Sequence, residues 1–285
     1  MWASQLGLVS ADEARAAAAR IEALGFGALW VGEADGREAL THAGLLLEAT
    51  ERLVVATGIA NIWARDAQAM INGARTLAEA HEGRFVLGIG ASHAPLVERR
   101  GRQYDKPYSA MIAYLDAMER AGYTSPLPEH EPDVVLAALG PKMLELAGDR
   151  AAGAHTFFVP PEHSGRAREI LGEGSFLAPE QAMVIARDRG RALDLAAGHV
   201  EKYLELPNYR RNLERLGWST ESLDEGPQNE RLFDALVAWG GVDGAVDRIR
   251  AHEAAGADHV AVHVITESAT RLPLRELEEL SRALG

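Results

Sequence analysis

Cysteine is absent from the 285 residues. Structural disulfides, thiolate nucleophiles and cysteine-ligated zinc or iron–sulfur centres are excluded with it. Lysine is nearly absent, Lys106, Lys142 and Lys202 being the only three, so arginine supplies almost all of the cations. Positive charge is short overall: 29 Lys and Arg face 42 Asp and Glu, a formal charge of −13. Such a field repels nucleic acid and anionic membrane surfaces, so neither is expected as a partner. An anionic ligand would need a local cluster of cations or backbone N–H groups. No stretch reaches the roughly 18 apolar residues of a membrane span, and Met1 to Ser10 lacks the basic-then-apolar pattern of a secretion signal. The expectation is a cytoplasmic protein.

What is present is a globular composition, 47% apolar and 25% charged, which excludes disordered and fibrous classes. Ala11 to Leu24 reads as a helix, with Ser10 as its cap and Gly25 as its stop. Ala28 to Val31 follows as a short apolar run bounded by turn residues, the pattern of a strand buried on both faces. The alternation then repeats, with strands at Leu53–Thr57, Phe85–Leu87, Val134–Ala137, Ala154–Val159, Phe176–Ile185 and Val260–Ile265. Helices fall between them, at Leu40–Thr50, Ala67–His81, Pro107–Gly122, Pro141–Arg150 and Pro161–Leu171, and one closes the chain. Strands separated by single helices imply a parallel sheet, either doubly wound or closed. Seven strands in a chain of about one barrel's length favour a (β/α)8 TIM barrel. Trp2 to Val9 is the one candidate for a shortened first strand. The chain reads as a single domain over 1–285, with 204–238 as a helical insertion.

Parallel α/β folds bind ligands beyond the carboxyl ends of their strands. The candidates there are Glu33 and Asp35; Gly58, Ile59, Ala60, Asn61 and Trp63; Gly88, Ile89, Gly90, Ala91, Ser92 and His93; and Ala138, Leu139, Gly140, Pro141 and Lys142. Gly88 to Ser92 resembles the opening of a dinucleotide fingerprint, but His93 replaces the third glycine and no helix is expected there. Gly90 to Ala94 half-matches a nucleophile elbow, which would need a late histidine such as His252, His259 or His263. His259 and His263 share one face of the last strand by its period of two, an arrangement that a metal or a plain core would each accept. No zinc-protease pattern supports a metal. Gly140, Pro141 and Lys142 at a helix start offer N–H groups and an ammonium to a phosphate. Arg99, Arg100, Arg102 and Lys106 form a cationic loop that could meet an anionic tail.

Thr76 to Ala80, then His81, Glu82, Gly83, Arg84 and Phe85 running into Val86 to Gly90, preceded by Val54 to Gly58, resembles the bacterial-luciferase-like superfamily of flavin and deazaflavin barrels. Ile59 to Arg65, Ser92 to Val97 and Leu139 to Leu146 are similar to an actinobacterial subgroup of coenzyme F420-dependent oxidoreductases. The resemblance implies a deazaflavin across the carboxyl ends of the strands and hydride transfer at its carbon five, with a small organic substrate. It places Gly58 and Ile59 at the family's non-prolyl cis peptide behind the ring, and Glu33 near the ring or reacting centre. Gly88 to Ser92 would border the ring or ribityl chain, and Ala138 to Lys142 the phosphate. Family habit adds a homodimer.

Departures narrow the reading. Ala34 and Ala91 stand where the superfamily's sugar-phosphate dehydrogenases carry an acid–base histidine and glutamate, so that activity is not expected. His93 becomes the candidate proton donor or acceptor, with Glu33 and Tyr104 behind it. Arg65 and Asp66 replace a family arginine, spacer and proline. Two other readings stay open: an FMN-dependent monooxygenase, and a non-enzymatic flavin- or deazaflavin-binding paralogue.

Overall fold

Ser10 launches the first helix through a capping box. Its hydroxyl accepts the Glu13 N–H at 3.2 Å, and the Glu13 carboxylate accepts the Ser10 N–H at 2.9 Å. Gly25, at φ +88°, then turns the chain toward the first strand. The computed structural model describes residues 1–285. Its strands are β1 (Ala28–Val31), β2 (Val54–Thr57), β3 (Ala60–Asn61), β4 (Phe85–Gly90), β5 (Asp133–Ala137), β6 (Gly153–Thr156), β7 (Phe176–Met183), β8 (Val237–Ala238) and β9 (Ala261–Val264). Its helices are α1 (Ala11–Ala23), α2 (Ala39–Leu47), α3 (Ala67–Ala80), α4 (Ala94–Arg99), α5 (Pro107–Glu119), α6 (Pro141–Arg150) and α7 (Pro161–Leu171). The remainder are α8 (Arg189–Leu204), α9 (Pro207–Arg215), α10 (Thr220–Glu225), α11 (Glu230–Leu236), α12 (Gly241–Ala254) and α13 (Leu274–Leu284).

Every strand pairing is parallel, in the order β1-β2-β4-β5-β6-β7, with β9 beside β7. The curl is closed at Trp2. Its N–H donates to Val262 O at 2.8 Å, while Ala3 N–H donates to Trp30 O and Trp30 N–H to Met1 O. The first strand is therefore shorter than the expected Trp2–Val9: it is one bridge, Trp2 to Trp30, and Ser4–Gly7 winds into a 3₁₀ turn. Other boundaries move as well. β4 runs on through Gly90, and β6 stops at Thr156, where Phe158 adopts φ +57° and leaves the ladder.

Alternation along the strands sorts the side chains. Leu29, Val31, Val55, Leu87, Leu136 and Leu177 pack outward against the helices, in the cluster that also buries Leu277 and Leu280 of α13. Each such fully buried leucine contributes roughly 1.5–3 kcal/mol. Trp2, Trp30, Ala56, Val135, Ala178 and Ala261 form a separate cluster inside the curl. The helical excursion expected over 204–238 starts earlier, with α8 at Arg189, and carries its own apolar cluster of Phe158, Val200, Leu213, Leu232 and Phe233. No helix is long and apolar enough to cross a membrane.

Candidate active site

Beyond β2 the chain makes a cis Gly58–Ile59 peptide, at the pair singled out by the family resemblance. Trp2 Nε1 donates to Gly58 O at 3.1 Å, and Glu33 N–H donates to Ile59 O at 3.2 Å. A Cβ on Gly58 would lie 2.9 Å from the Trp2 indole nitrogen. β3 then pairs Ala60 and Asn61 with Ile89 and Gly90. Ile59 packs so closely that a Cβ on Gly90 would stand 2.8 Å from its Cγ1, and one on Gly88 would meet Thr57 O at 1.9 Å. The two glycines are thus strand residues that admit this bulge. Contrary to the sequence expectation a helix does open here, α4 from Ala94, with His93 as its N-cap. The fingerprint reading still fails, because the glycines lie in β4 rather than in a turn over a phosphate.

Glu33, at the end of β1, is 7% exposed. One carboxylate oxygen accepts Asn61 N–H at 2.8 Å, the other pairs with Arg65, and Arg65 also reaches Glu38 at 2.7 Å. Its geometry is that of a clamp on the 59–65 loop. Asp66 caps α3 by accepting Ala69 N–H, and Trp63 Nε1 donates to Ala91 O at 2.9 Å. The loops after β2 and β4 are therefore fastened together. Arg99 pairs with Asp35 at 2.5 Å and Arg100 donates to Ala34 O at 2.6 Å. Those two arginines tie α4 to the end of β1.

Ala91, Ser92 and His93 are half-buried. Burial is the main force pushing the His93 imidazole below its ordinary range; Lys202 adds to it, and the Asn208 side chain opposes it. The ring is neutral near pH 7. Tyr209 of α9 stands 5.4 Å from it, ring to ring. Tyr209 also packs on Phe158, and Tyr203 of α8 packs on Phe157 at 4.9 Å and Phe158 at 5.3 Å. The corner between α8 and α9 is thus an aromatic cover over the carboxyl end of the barrel. On its far side, Leu139 O accepts from His163 at 3.0 Å, and Gly140 starts α6 without a side-chain cap. Lys142 is exposed there, and a Cβ on Gly140 would come within 3.3 Å of the Arg215 guanidinium.

Under that cover lies a group that sequence reasoning missed. Glu180 of β7 is 0% exposed; one oxygen accepts Phe158 N–H at 3.1 Å and the other meets His263 Nδ1 at 2.8 Å. The His263 ring packs on Trp2 at 4.6 Å and on His199 of α8 at 5.2 Å. His199 is held well below its ordinary range by burial, then by His263 and Lys202, and its Nε2 has no partner. The available signal was a single carboxylate in an otherwise uncharged, buried strand.

The other late histidines are placed elsewhere. His259 precedes β9 and accepts from Trp30 Nε1 at 3.1 Å, away from His263. His252 bonds Ser164 and Gln181, both at 2.8 Å, in a sealed site on the outer face of the sheet. The nucleophile-elbow reading, which needed one of these near Ser92, finds no partner in either.

Comparison with known proteins agrees with this architecture. The chain is 28% identical to the uncharacterised protein Rv1360 of Mycobacterium tuberculosis over 81% of this chain and 78% of that one. Its fold superposes on the coenzyme F420-dependent tetrahydromethanopterin reductase of Methanopyrus kandleri with a TM-score of 0.79 at 17% identity, over 99% of this chain and 97% of that one. An F420-dependent secondary alcohol dehydrogenase solved with an F420–acetone adduct gives a TM-score of 0.76 at 15% identity, over 99% and 96%. At such identities the likeness speaks for the fold. The model of the luciferase-like monooxygenase family matches residues 3–259, nine-tenths of the sequence, and the chain belongs to that family.

Proposed function

We propose that this protein is a coenzyme F420-dependent oxidoreductase acting on a small, apolar organic substrate. One observation carries the reading: a crescent of half-buried residues at the carboxyl ends of the strands, built by Gly58 and Ile59, by Ala91 to His93, and by Ala137, Leu139 and Gly140. Gly58, Ala91, Ser92, Ala137 and Gly140 there suit a flat tricyclic ring, because little projects from those positions. At one end of the crescent the α6 N-terminus, Lys142 and Arg215 offer N–H groups and charge to a phosphate, the local cluster that a net charge of −13 demands. The donor set therefore fits a phosphate-bearing flavin or deazaflavin. Such a group, when bound, would accept or deliver a hydride.

The chain's own part is to bind and orient. Ile59 and Gly58 would back the ring, Asn61 and Ala60 would fix the bulge, and Gly88, Ile89 and Gly90 would keep it close. Ala138, Leu139, Gly140, Pro141 and Lys142 would hold the phosphate end, and the aromatic cover would exclude water. His93, next to Asn208, would exchange a proton, while Glu33 would act through the loop that it clamps.

The family name itself favours a second reading, FMN with oxygen as co-substrate. The two are separable because the deazaflavin has carbon where FMN has its reactive nitrogen. Purified protein titrated with each in turn, followed by fluorescence, is expected to bind the deazaflavin tightly and FMN weakly. Tight FMN binding without a response to the deazaflavin would overturn the proposal in favour of a monooxygenase, and binding of neither would leave a non-catalytic paralogue.

A further inference from the structure

Glu180 of β7, His263 of β9 and His199 of α8 each bring one metal-binding atom to the same place under the aromatic cover, and the three atoms lie within 4.8 Å of one another. The structure assigns to this cluster a site for one divalent transition-metal ion of the zinc type, which clips α8 to the barrel wall. His263 thus finds its fellow ligand in the helical excursion, whereas His259 of its own segment turns to Trp30.

The donor set selects the ion. Magnesium and calcium take oxygen ligands, and two imidazoles with one carboxylate suit zinc and its neighbours, with a remaining position for water. The geometry asks for small movements. Ligand atoms on one such ion stand about 3.0–3.5 Å apart, at bond lengths near 2.1 Å. The Glu180–His263 contact, now 2.8 Å, opens slightly, and His263 Nδ1 exchanges its hydrogen bond for the ion while the neutral ring carries its proton on Nε2. The other Glu180 oxygen keeps the Phe158 N–H at 3.1 Å, an outer hydrogen bond of the kind that orients a ligating carboxylate. Glu180 is 0% exposed, so the site needs no ordering of a mobile surface side chain.

An unsatisfied group supplies the independent sign of a ligand. His199 Nε2 is buried and has no hydrogen-bond partner, which costs stability until something meets it. His155 Nε2 and His163 Nδ1 share that condition, but neither residue belongs to a group of three metal donors. An orphan nitrogen, a second imidazole and a buried carboxylate coincide only here. His252, by contrast, has both ring nitrogens occupied, by Ser164 and Gln181. Lys202, the cation nearest along α8, is exposed. The consequence is mechanical. β7 and β9 are paired barrel strands, and α8 opens the excursion that carries Tyr203, whose ring lies 4.8 Å from that of His199. An ion held by all three elements fastens the cover over the carboxyl end of the barrel.

The test uses the full chain, stripped with a chelator and titrated with zinc chloride alone. It contains no deazaflavin, so its outcome is independent of the proposed function. One equivalent is expected to bind, raising the melting midpoint by about 5 °C at a hundredfold excess over the dissociation constant. His199→Ala should weaken binding roughly 100-fold and cancel the rise, while replacement of the exposed His130 by Gln should change neither. In the wild-type protein, zinc should shift the NMR ring signals of His199 and His263 and leave those of His130 and His252 in place, a readout that stands even where the variant fails to fold. A wild-type chain that takes up no zinc at about 10 μM overturns the assignment. So does uptake that persists unchanged in His199→Ala, or that moves the His130 signals instead, since either outcome marks an adventitious surface ion only.

Discussion

Glu180 and Gln181 are consecutive residues of one buried strand, and each holds a histidine at 2.8 Å. Strand alternation sends them to opposite faces. Glu180 points into the barrel to His263, below the aromatic cover. Gln181 points outward to His252, which also bonds Ser164 Oγ, in a site where all three residues are fully buried. The contacts look alike and their chemistry differs. An amide can fix an imidazole but brings no charge to offset a proton on it, and burial, with Arg248 and His163, pushes His252 down to about 3. A carboxylate at the same distance can receive a proton's charge. The outer triad is an architectural network, and the inner pair sets its imidazole against a group that can carry charge.

Exchanging the two partners is the sharpest way to break that contrast. Gln181→Glu is expected to destabilise the fold by about 3–5 kcal/mol, the largest effect here, measured as a lowered denaturant midpoint. Gln181 Nε2 donates to Ala182 O and Leu236 O, and a carboxylate oxygen in its place would face two carbonyl oxygens with no water to relieve it. Stability unchanged within about 1 kcal/mol would mean that the outer site tolerates charge, and the contrast would collapse.

A smaller effect follows from pH. In the unfolded chain a histidine titrates near 6.5, whereas folded His252 lies at about 3, and the buried His259 lies at about 3 and His155 at about 4. The fold binds the neutral rings, so their contribution is complete above about pH 6.5 and is lost as pH falls from there toward the folded values. Each such ring adds at most about 1.4 kcal/mol per pH unit to the slope. His252→Gln should therefore flatten the stability–pH curve between about pH 6 and 4.5 by about that amount. An unaltered slope would show that the outer network does not depend on a neutral imidazole.

How much of this was legible in the sequence follows from what each feature depends on. Ser10, Gly25 and the apolar runs from Ala28 onward act within a turn or two of chain, so the helix–strand alternation could be read directly. The cis bond at Gly58–Ile59 follows from the family resemblance, and its packing against Gly90 depends on the pairing of β3 with β4. Trp2 shows the limit: a strand of one bridge has no periodicity to detect. Glu180 and His263 are 83 residues apart, and only the register of β7 with β9 brings them together. The role of Arg65 was hidden similarly, because its partner Glu33 lies across the sheet on another strand's end. The helix opening at Ala94 is six residues long, too short to show a helical period.

The smallest effect concerns the proposed phosphate end, where neither face of β7 contributes. Lys142 stands exposed at the start of α6, next to Gly140 and close to Arg215. An exposed cation facing an anion through water is screened over about 8–10 Å at moderate salt, so its removal should cost about a factor of ten in deazaflavin affinity or less. Lys142→Ala should therefore raise the dissociation constant by up to about tenfold, lose that difference as salt rises, and leave turnover at saturation within about twofold. A kcat loss in Lys142→Ala would place the phosphate end in the chemistry rather than in binding alone.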